Sequence, residues 1–207
     1  KNSRLFIVGD LFDYWFEYKL VLQKGYYRTF TAIKNFTEEG GKVDYLIGNH
    51  DFLHRDFFEK ELNVRLHENN LEVYLNGKKF YLAHGDGLLK NDTGYKILKK
   101  IFRNKTLQTL YSWIHPDLGI ALASKISRAS REYTTEKNYG TEDGLVEVAE
   151  KLIEKGFDFV IFGHSHVRQF KKFGKGIYVN LGSWIDAPCF GKYVEGQFEI
   201  IDLGENG

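Results

Sequence analysis

The sequence predicts an α/β fold with two facing mixed sheets flanked by helices, and three observations carry that expectation. Short, near-continuous apolar runs recur, each followed by glycine or polar residues. Stretches of helical period lie between them, and one Asn-Gly pair joins two strand-like runs.

Leu5 to Val8, Val43 to Ile47, Phe80 to Ala83 and Phe157 to Phe162 are apolar almost throughout, as strands buried on both faces are. Tyr26 to Glu39 puts Phe30, Ile33 and Phe36 on one helical face. Gly144 to Lys155 does the same with Val148, Leu152 and Ile153, and Gly156 is suited to end it. Leu71 to Leu75 and Lys78 to Leu82 flank Asn76-Gly77, whose residues tolerate the positive φ of a tight hairpin turn. Ile177 to Leu181, Lys192 to Glu195 and Gln197 to Ile201 are expected to close a second, partly antiparallel sheet.

Between Leu88 and Tyr139 the alternation stops. Lys90, Lys96, Lys99, Lys100, Arg103 and Lys105 mix there with Ile97, Leu98, Ile101, Phe102, Leu110, Tyr111, Trp113 and Ile114 at helical spacing. Residues 88–139 therefore read as a helical lid inserted into a single domain over 1–207, with helices that merely cover a sheet edge as the plainer alternative.

Composition narrows the function. The 207 residues are 43% apolar and 28% charged, enough for a sizeable core and unlike a disordered chain. Lys and Arg at 29 against Asp and Glu at 28 leave a net charge of +1, without the broad positive field of a duplex-binding protein, so no nucleic-acid partner is expected. No apolar run approaches the roughly 20 residues of a membrane span, and no signal peptide opens the chain. The one cysteine, Cys189, excludes an internal disulfide and fits a reducing cytoplasm. The chain opens at Lys1 and holds no methionine, so a further N-terminal segment is expected.

Chemistry is concentrated where the apolar runs end. Gly9-Asp10-Leu11-Phe12-Asp13, Gly48-Asn49-His50-Asp51, His84-Gly85-Asp86 and Gly163-His164-Ser165-His166 each follow such a run. The carboxyl ends of strands in an α/β sheet share one edge, where ligands bind, so these clusters can converge. A glycine beside each ligand is expected to let the backbone turn the next side chain into the site. Imidazole, carboxylate and amide donors without thiolate favour manganese, iron or zinc. Two such ions can acidify a bound water and hold both oxygens of an in-line displacement at phosphorus.

In this order the four clusters resemble the calcineurin-like metallophosphoesterases. The resemblance implies Asp10 as the carboxylate bridging two divalent ions, Asn49, His84 and His164 completing one site, and His166 binding in the other. It also implies that Asn49 and His50 face the scissile phosphate, with His50 stabilising charge or protonating the leaving group and Asp51 orienting it, while Asp13 supports its loop. That family opens with an Asp-x-His motif upstream of Gly-Asp-x-x-Asp. Its absence here leads us to expect a missing segment, the alternative being a relative with a degenerate first site.

A narrower resemblance spans nearly the whole chain. Gly9 to Trp15, Gly48 to Phe52, His84 to Leu88 with Asp92, Gly94 and Tyr95, Leu107 to Leu110, and Leu181 to Trp184 are similar to the UDP-2,3-diacylglucosamine hydrolases of lipid A biosynthesis. This implies release of UMP and 2,3-diacylglucosamine 1-phosphate, usually with Mn2+, by an enzyme peripheral on the cytoplasmic face of a bacterial inner membrane. Asp92 and Tyr95 match substrate-side positions, Trp15 matches a tryptophan of the motif that either stacks on substrate or packs, residues 124–131 match a Ser/Lys/Arg-rich stretch, and the lid would take the acyl chains. Many members have arginine where this chain has His50. A metallophosphodiesterase or phosphatase with another nucleotide or phosphoester substrate, and a non-catalytic scaffold, are the rival readings. No protein partner is legible. His54, His67 and His115 are expected as surface or packing residues, and Cys189 as a small buried one.

Overall fold

The computed structural model describes residues 3–51, 53–88, 100–136 and 144–204, except for the side chains of 129–136. Two compact units emerge, Lys1–Asn69 with Asp92–Lys137, and Asn70–Asn91 with Asn138–Gly207.

The first unit holds a parallel sheet of β1 (Arg4–Ile7), β2 (Lys42–Leu46) and β3 (Val64–His67) in that order. Helix α1 (Tyr27–Glu38) makes the crossover from β1 to β2 and buries Phe30 and Ile33, the face its spacing predicts. Phe12, Trp15, Val43, Tyr45, Phe58, Leu62 and Val64 complete that core. β3 is a strand the sequence pattern did not suggest, because Arg65 and His67 interrupt its apolar run. Buried Asp44 explains its place: the carboxylate accepts from Arg4 Nε at 2.7 Å and contacts His67 Nε2 at 2.8 Å, linking all three strands. Burial alone would raise the Asp44 pKa, but the hydrogen bonds from Arg4 and His67 outweigh it and hold it below the usual value. His67 is thus a strand-pinning residue.

A second buried carboxylate, Glu17, accepts backbone hydrogen bonds from Arg55, Asp56 and Phe57. It thereby caps the short helix α2 (Phe57–Lys60), whose own Asp56 side chain makes no capping bond.

Within the stretch expected as a lid, α3 (Lys105–Ser112) is capped by Asn104 Oδ1, which accepts from Thr106 and Leu107 N–H. Helix α4 (Pro116–Glu136) begins with proline, whose missing N–H costs nothing in a first turn. Gly119, Ala123 and Ser127 lie one turn apart on α4, and a methyl group at Gly119 would overlap the Tyr18 hydroxyl. Small side chains therefore bring the helix close to its unit. Tyr111 packs on Phe16 with ring centroids 4.5 Å apart, whereas Trp113 is exposed.

The second unit centres on a five-stranded sheet of order β4-β5-β6-β8-β7. β4 (Leu71–Leu75) and β5 (Lys78–Ala83) form the expected hairpin, with Asn76 and Gly77 at φ 48° and 76°. β6 (Phe159–Phe162) and β8 (Gly176–Asn180) run parallel to β5, and β7 (Gln169–Phe173) pairs antiparallel with β8. Helix α5 (Val146–Glu154) covers β6 and β8 through Leu145 and Ala149, and Gly156 follows it at φ 97° as expected. Among the described residues β9 (Cys189–Val194) and β10 (Gln197–Asp202) pair only with each other. They pack on the larger sheet through Tyr193 and Phe198 against Phe80 and Phe159, so β8 belongs to the main sheet and the closing ladder starts at Cys189.

His54 packs edge-on against Tyr45 and Phe58, and burial pushes its pKa down to about 3. The unfolded chain takes up this proton below about pH 6.5, and the folded chain only near pH 3. Stability should therefore fall with pH across that window, by about 1.4 kcal/mol per unit, or about 2 kcal/mol by pH 5. Urea unfolding of the parent and of His54→Leu at pH 7, 6 and 5 checks this: the variant should lack that component of the slope, and parallel pH dependences would exclude it.

Candidate active site

Strand register brings the chemistry-bearing loops together within each unit. In the first, Ile7 pairs with Tyr45, so Gly9-Asp10 and Gly48-Asn49 leave the sheet at its carboxyl edge. In the second, Ala83, Phe162 and Asn180 are level across β5, β6 and β8, which places His84 and Gly163-His164 at one edge.

Asp10 adopts φ 49°, a left-handed conformation that a non-glycine residue enters at a cost of about 1–2 kcal/mol. Gly9 precedes it at φ 83°, while Gly48 serves another purpose, since a methyl group there would overlap the Asp10 carboxylate and crowd its backbone nitrogen. Asp10 Oδ1 accepts from the His50 backbone N–H at 2.9 Å, joining the two loops. Glycine thus serves close approach at Gly48 and a turn at Gly9 and Gly85. In the His-x-His cluster the histidines themselves take the unusual conformation, His164 at φ 66° and His166 at φ 58°.

Asp51 is fully buried and does not orient His50. Its carboxylate accepts from Leu11 N–H at 2.9 Å, from Gly48 N–H at 2.6 Å and from the Tyr45 hydroxyl. Burial and the adjacent Asp51 carboxylate hold the Tyr45 pKa well above its ordinary value, so Tyr45 stays a donor. The role of orienting His50 that the resemblance implies for Asp51 is therefore not what its contacts show. His50 Nδ1 lies 2.9 Å from the Asp13 carbonyl oxygen and 2.9 Å from Ser127 Oγ. The Asp13 main-chain carbonyl thus supports the His50 ring.

In the second unit His84 is buried and its ring lies 5.1 Å from that of His164, while His166 is exposed. Asn180, buried at the end of β8, donates to Gly163 O at 2.8 Å and Ser165 Oγ at 2.9 Å, and accepts from Gly182 N–H at 3.0 Å. It holds the His-x-His loop, a role the sequence reading missed. Its place at the end of an apolar run was legible in the sequence, but its partners become its neighbours only through the register of β6 and β8.

Trp15 does not take the substrate side. Its side chain is 1% exposed and packs among Phe12, Phe30 and Phe58, so it builds the core instead of facing a substrate. Asp92 and Tyr95 lie outside the described residues. Asn49 sits at the carboxyl edge beside His50 and is half-buried.

The donors suit borderline divalent ions. Asp10 and Asn49 of the first unit offer carboxylate and amide oxygen, and His84, His164 and His166 of the second offer imidazole nitrogen, donor types that divalent metal ions take. Among the described residues no helix is long and apolar enough to cross a membrane.

The sequence profile of the calcineurin-like phosphoesterases matches residues 1–168. A Porphyromonas gingivalis protein named UDP-2,3-diacylglucosamine hydrolase is 32% identical over 180 residues, covering 79% of this chain and 69% of its own. Proteins of the same name from Haemophilus ducreyi and Haemophilus influenzae are each 30% identical, over 95% and 88% of this chain and 85% and 77% of theirs. A solved archaeal phosphodiesterase, 17% identical, superposes with a TM-score of 0.48 over 97% of this chain and 83% of that one. The chain is a hydrolase and belongs to the calcineurin-like phosphoesterase family.

Proposed function

We propose that this chain hydrolyses the pyrophosphate of UDP-2,3-diacylglucosamine, releasing UMP and 2,3-diacylglucosamine 1-phosphate at the cytoplasmic surface of a bacterial inner membrane. The observation that carries the reading is the similarity, over most of the chain, to proteins bearing that activity in their names. Helix α4 gives it independent support. One residue along from its inward row of Gly119, Ala123 and Ser127, a second row of Leu118, Leu122 and Ile126 is exposed. With Leu107, Leu110 and Trp113, also exposed, it offers an apolar surface of the kind acyl chains require.

In this reading Asp10 and Asn49 of the first unit, and His84, His164 and His166 of the second, would be the donors for two divalent ions, as the family resemblance implies. Divalent ions in such a site, Mn2+ first among them, supply Lewis-acid activation of water and neutralise charge on the phosphate. Asp10 is presented by its left-handed turn and held by the His50 N–H. His50 acts on the phosphate as imidazolium, through Nε2–H, steadying negative charge or giving that proton to the leaving oxygen.

The test follows UMP release from UDP-2,3-diacylglucosamine with added Mn2+, beside bis(p-nitrophenyl) phosphate. Preference for the lipid nucleotide supports the reading, and turnover of the soluble diester alone transfers the chemistry to another substrate. Asp10→Ala should remove activity while leaving the circular dichroism spectrum unchanged; unaltered turnover in this variant would falsify the shared role of Asp10. Gly48→Ala should lower turnover at least about tenfold by displacing the Asp10 carboxylate, and wild-type rates in this second variant would show that the close approach is not needed.

A further inference from the structure

Ser127 lies on α4, 77 residues along the chain from His50, and is 4% exposed. Its hydroxyl donates to the Asp13 carbonyl oxygen at 2.5 Å and sits 2.9 Å from His50 Nδ1, which itself lies 2.9 Å from the same carbonyl. Three groups therefore meet in one knot, and their donor and acceptor roles can be assigned. A carbonyl oxygen only accepts, so Nδ1 must carry the ring proton. Ser127 has a single proton and gives it to Asp13, so its oxygen faces Nδ1 as an acceptor. Both bonds from the protein thus fall on Nδ1, leaving Nε2 as the ring nitrogen available for chemistry.

We propose that Ser127 is the positioning residue for His50: with the Asp13 carbonyl it holds the ring by Nδ1–H, so that Nε2 faces the phosphate and, in the imidazolium form, its N–H donates there. This deepens the function proposed above and rests on its assignment of His50. The residue that the resemblance implies for the task, Asp51, is committed to Leu11, Gly48 and Tyr45. Ser127 is suited to it because α4 approaches closely along its small face, where Gly119 abuts Tyr18. A hydroxyl occupied in both directions and almost wholly buried is also poorly placed to touch a substrate, whatever residues 124–131 do elsewhere.

Two measurements test this, one independent of turnover. In full-length chain with 15N-labelled histidine, at alkaline pH, the parent His50 should show one ring pattern with Nδ1 protonated and Nε2 bare. Ser127→Ala should lose that single pattern and mix tautomers, while Ser127→Thr, which keeps the hydroxyl, should retain it. An unchanged His50 pattern in Ser127→Ala overturns the proposal, whether or not UDP-2,3-diacylglucosamine is the substrate. With that substrate, Ser127→Ala should lower kcat about tenfold with KM unchanged, and should add nothing further in a His50→Ala background. The same loss in both backgrounds would overturn a role through His50. Failure of the parent to cleave the lipid nucleotide counts against the function proposed above, and the ring spectra still decide the place of Ser127.

Discussion

The buried carboxylate of Asp51 is the constraint on which the first half of the site depends. Two backbone N–H groups, from Leu11 and Gly48, and the Tyr45 hydroxyl converge on it from three directions. Leu11 follows Asp10 and Gly48 precedes Asn49, so one side chain fixes the separation of two loops that the bond from His50 N–H to Asp10 also joins. A carboxylate taken out of water is costly unless hydrogen bonds replace its hydration, and here they come from groups that would themselves be left unsatisfied. Removing it would expose that cost on both sides. The second unit solves the same problem with a neutral amide, as Asn180 ties Gly163, Ser165 and Gly182 around the paired histidines.

These clamps explain how strained backbone persists. Asp10, His164 and His166 all have positive φ, without the freedom glycine would bring. Each such residue costs on the order of 1–2 kcal/mol and survives only where its surroundings leave no alternative. Asp10 is pinned from Gly48 and His50, and the His-x-His loop from Asn180 and from the Gly163 N–H bonded to His84 O. A donor presented from a left-handed turn points where a relaxed strand end would not point it. The strain and the clamp are thus parts of one device.

Much of this was legible in the sequence because it is local. The hairpin at Asn76-Gly77, the two amphipathic helices, the apolar strands and the polar cluster following each strand all depend on residues within a few positions of one another. Trp15 could not be placed from the sequence because a motif position says nothing about burial, and the surrounding Phe12, Phe30 and Phe58 come from three different segments. β3 was hidden by Arg65 and His67, whose polarity is answered by Asp44 on the neighbouring strand. Ser127, Asn180 and Tyr45 are ordinary residue types whose roles appear only when partners distant in sequence become neighbours.

The assignment of His50 to Ser127 in place of Asp51 has a physical logic of its own. An acidic partner fixed to Nδ1 would bring a second negative charge close to a phosphate, whereas a hydroxyl and a carbonyl hold the ring with dipoles alone. Charge near the reacting group is then left to the candidate metal donors, and His50 is oriented without adding to it. The arrangement also makes the ring depend on α4, whose neighbouring row of side chains is exposed and apolar. One helix therefore carries, on adjacent rows, the contact that orients a candidate phosphate-facing group and the surface suited to a lipid. Those two demands are the ones that the proposed hydrolysis of a lipid-linked pyrophosphate would make.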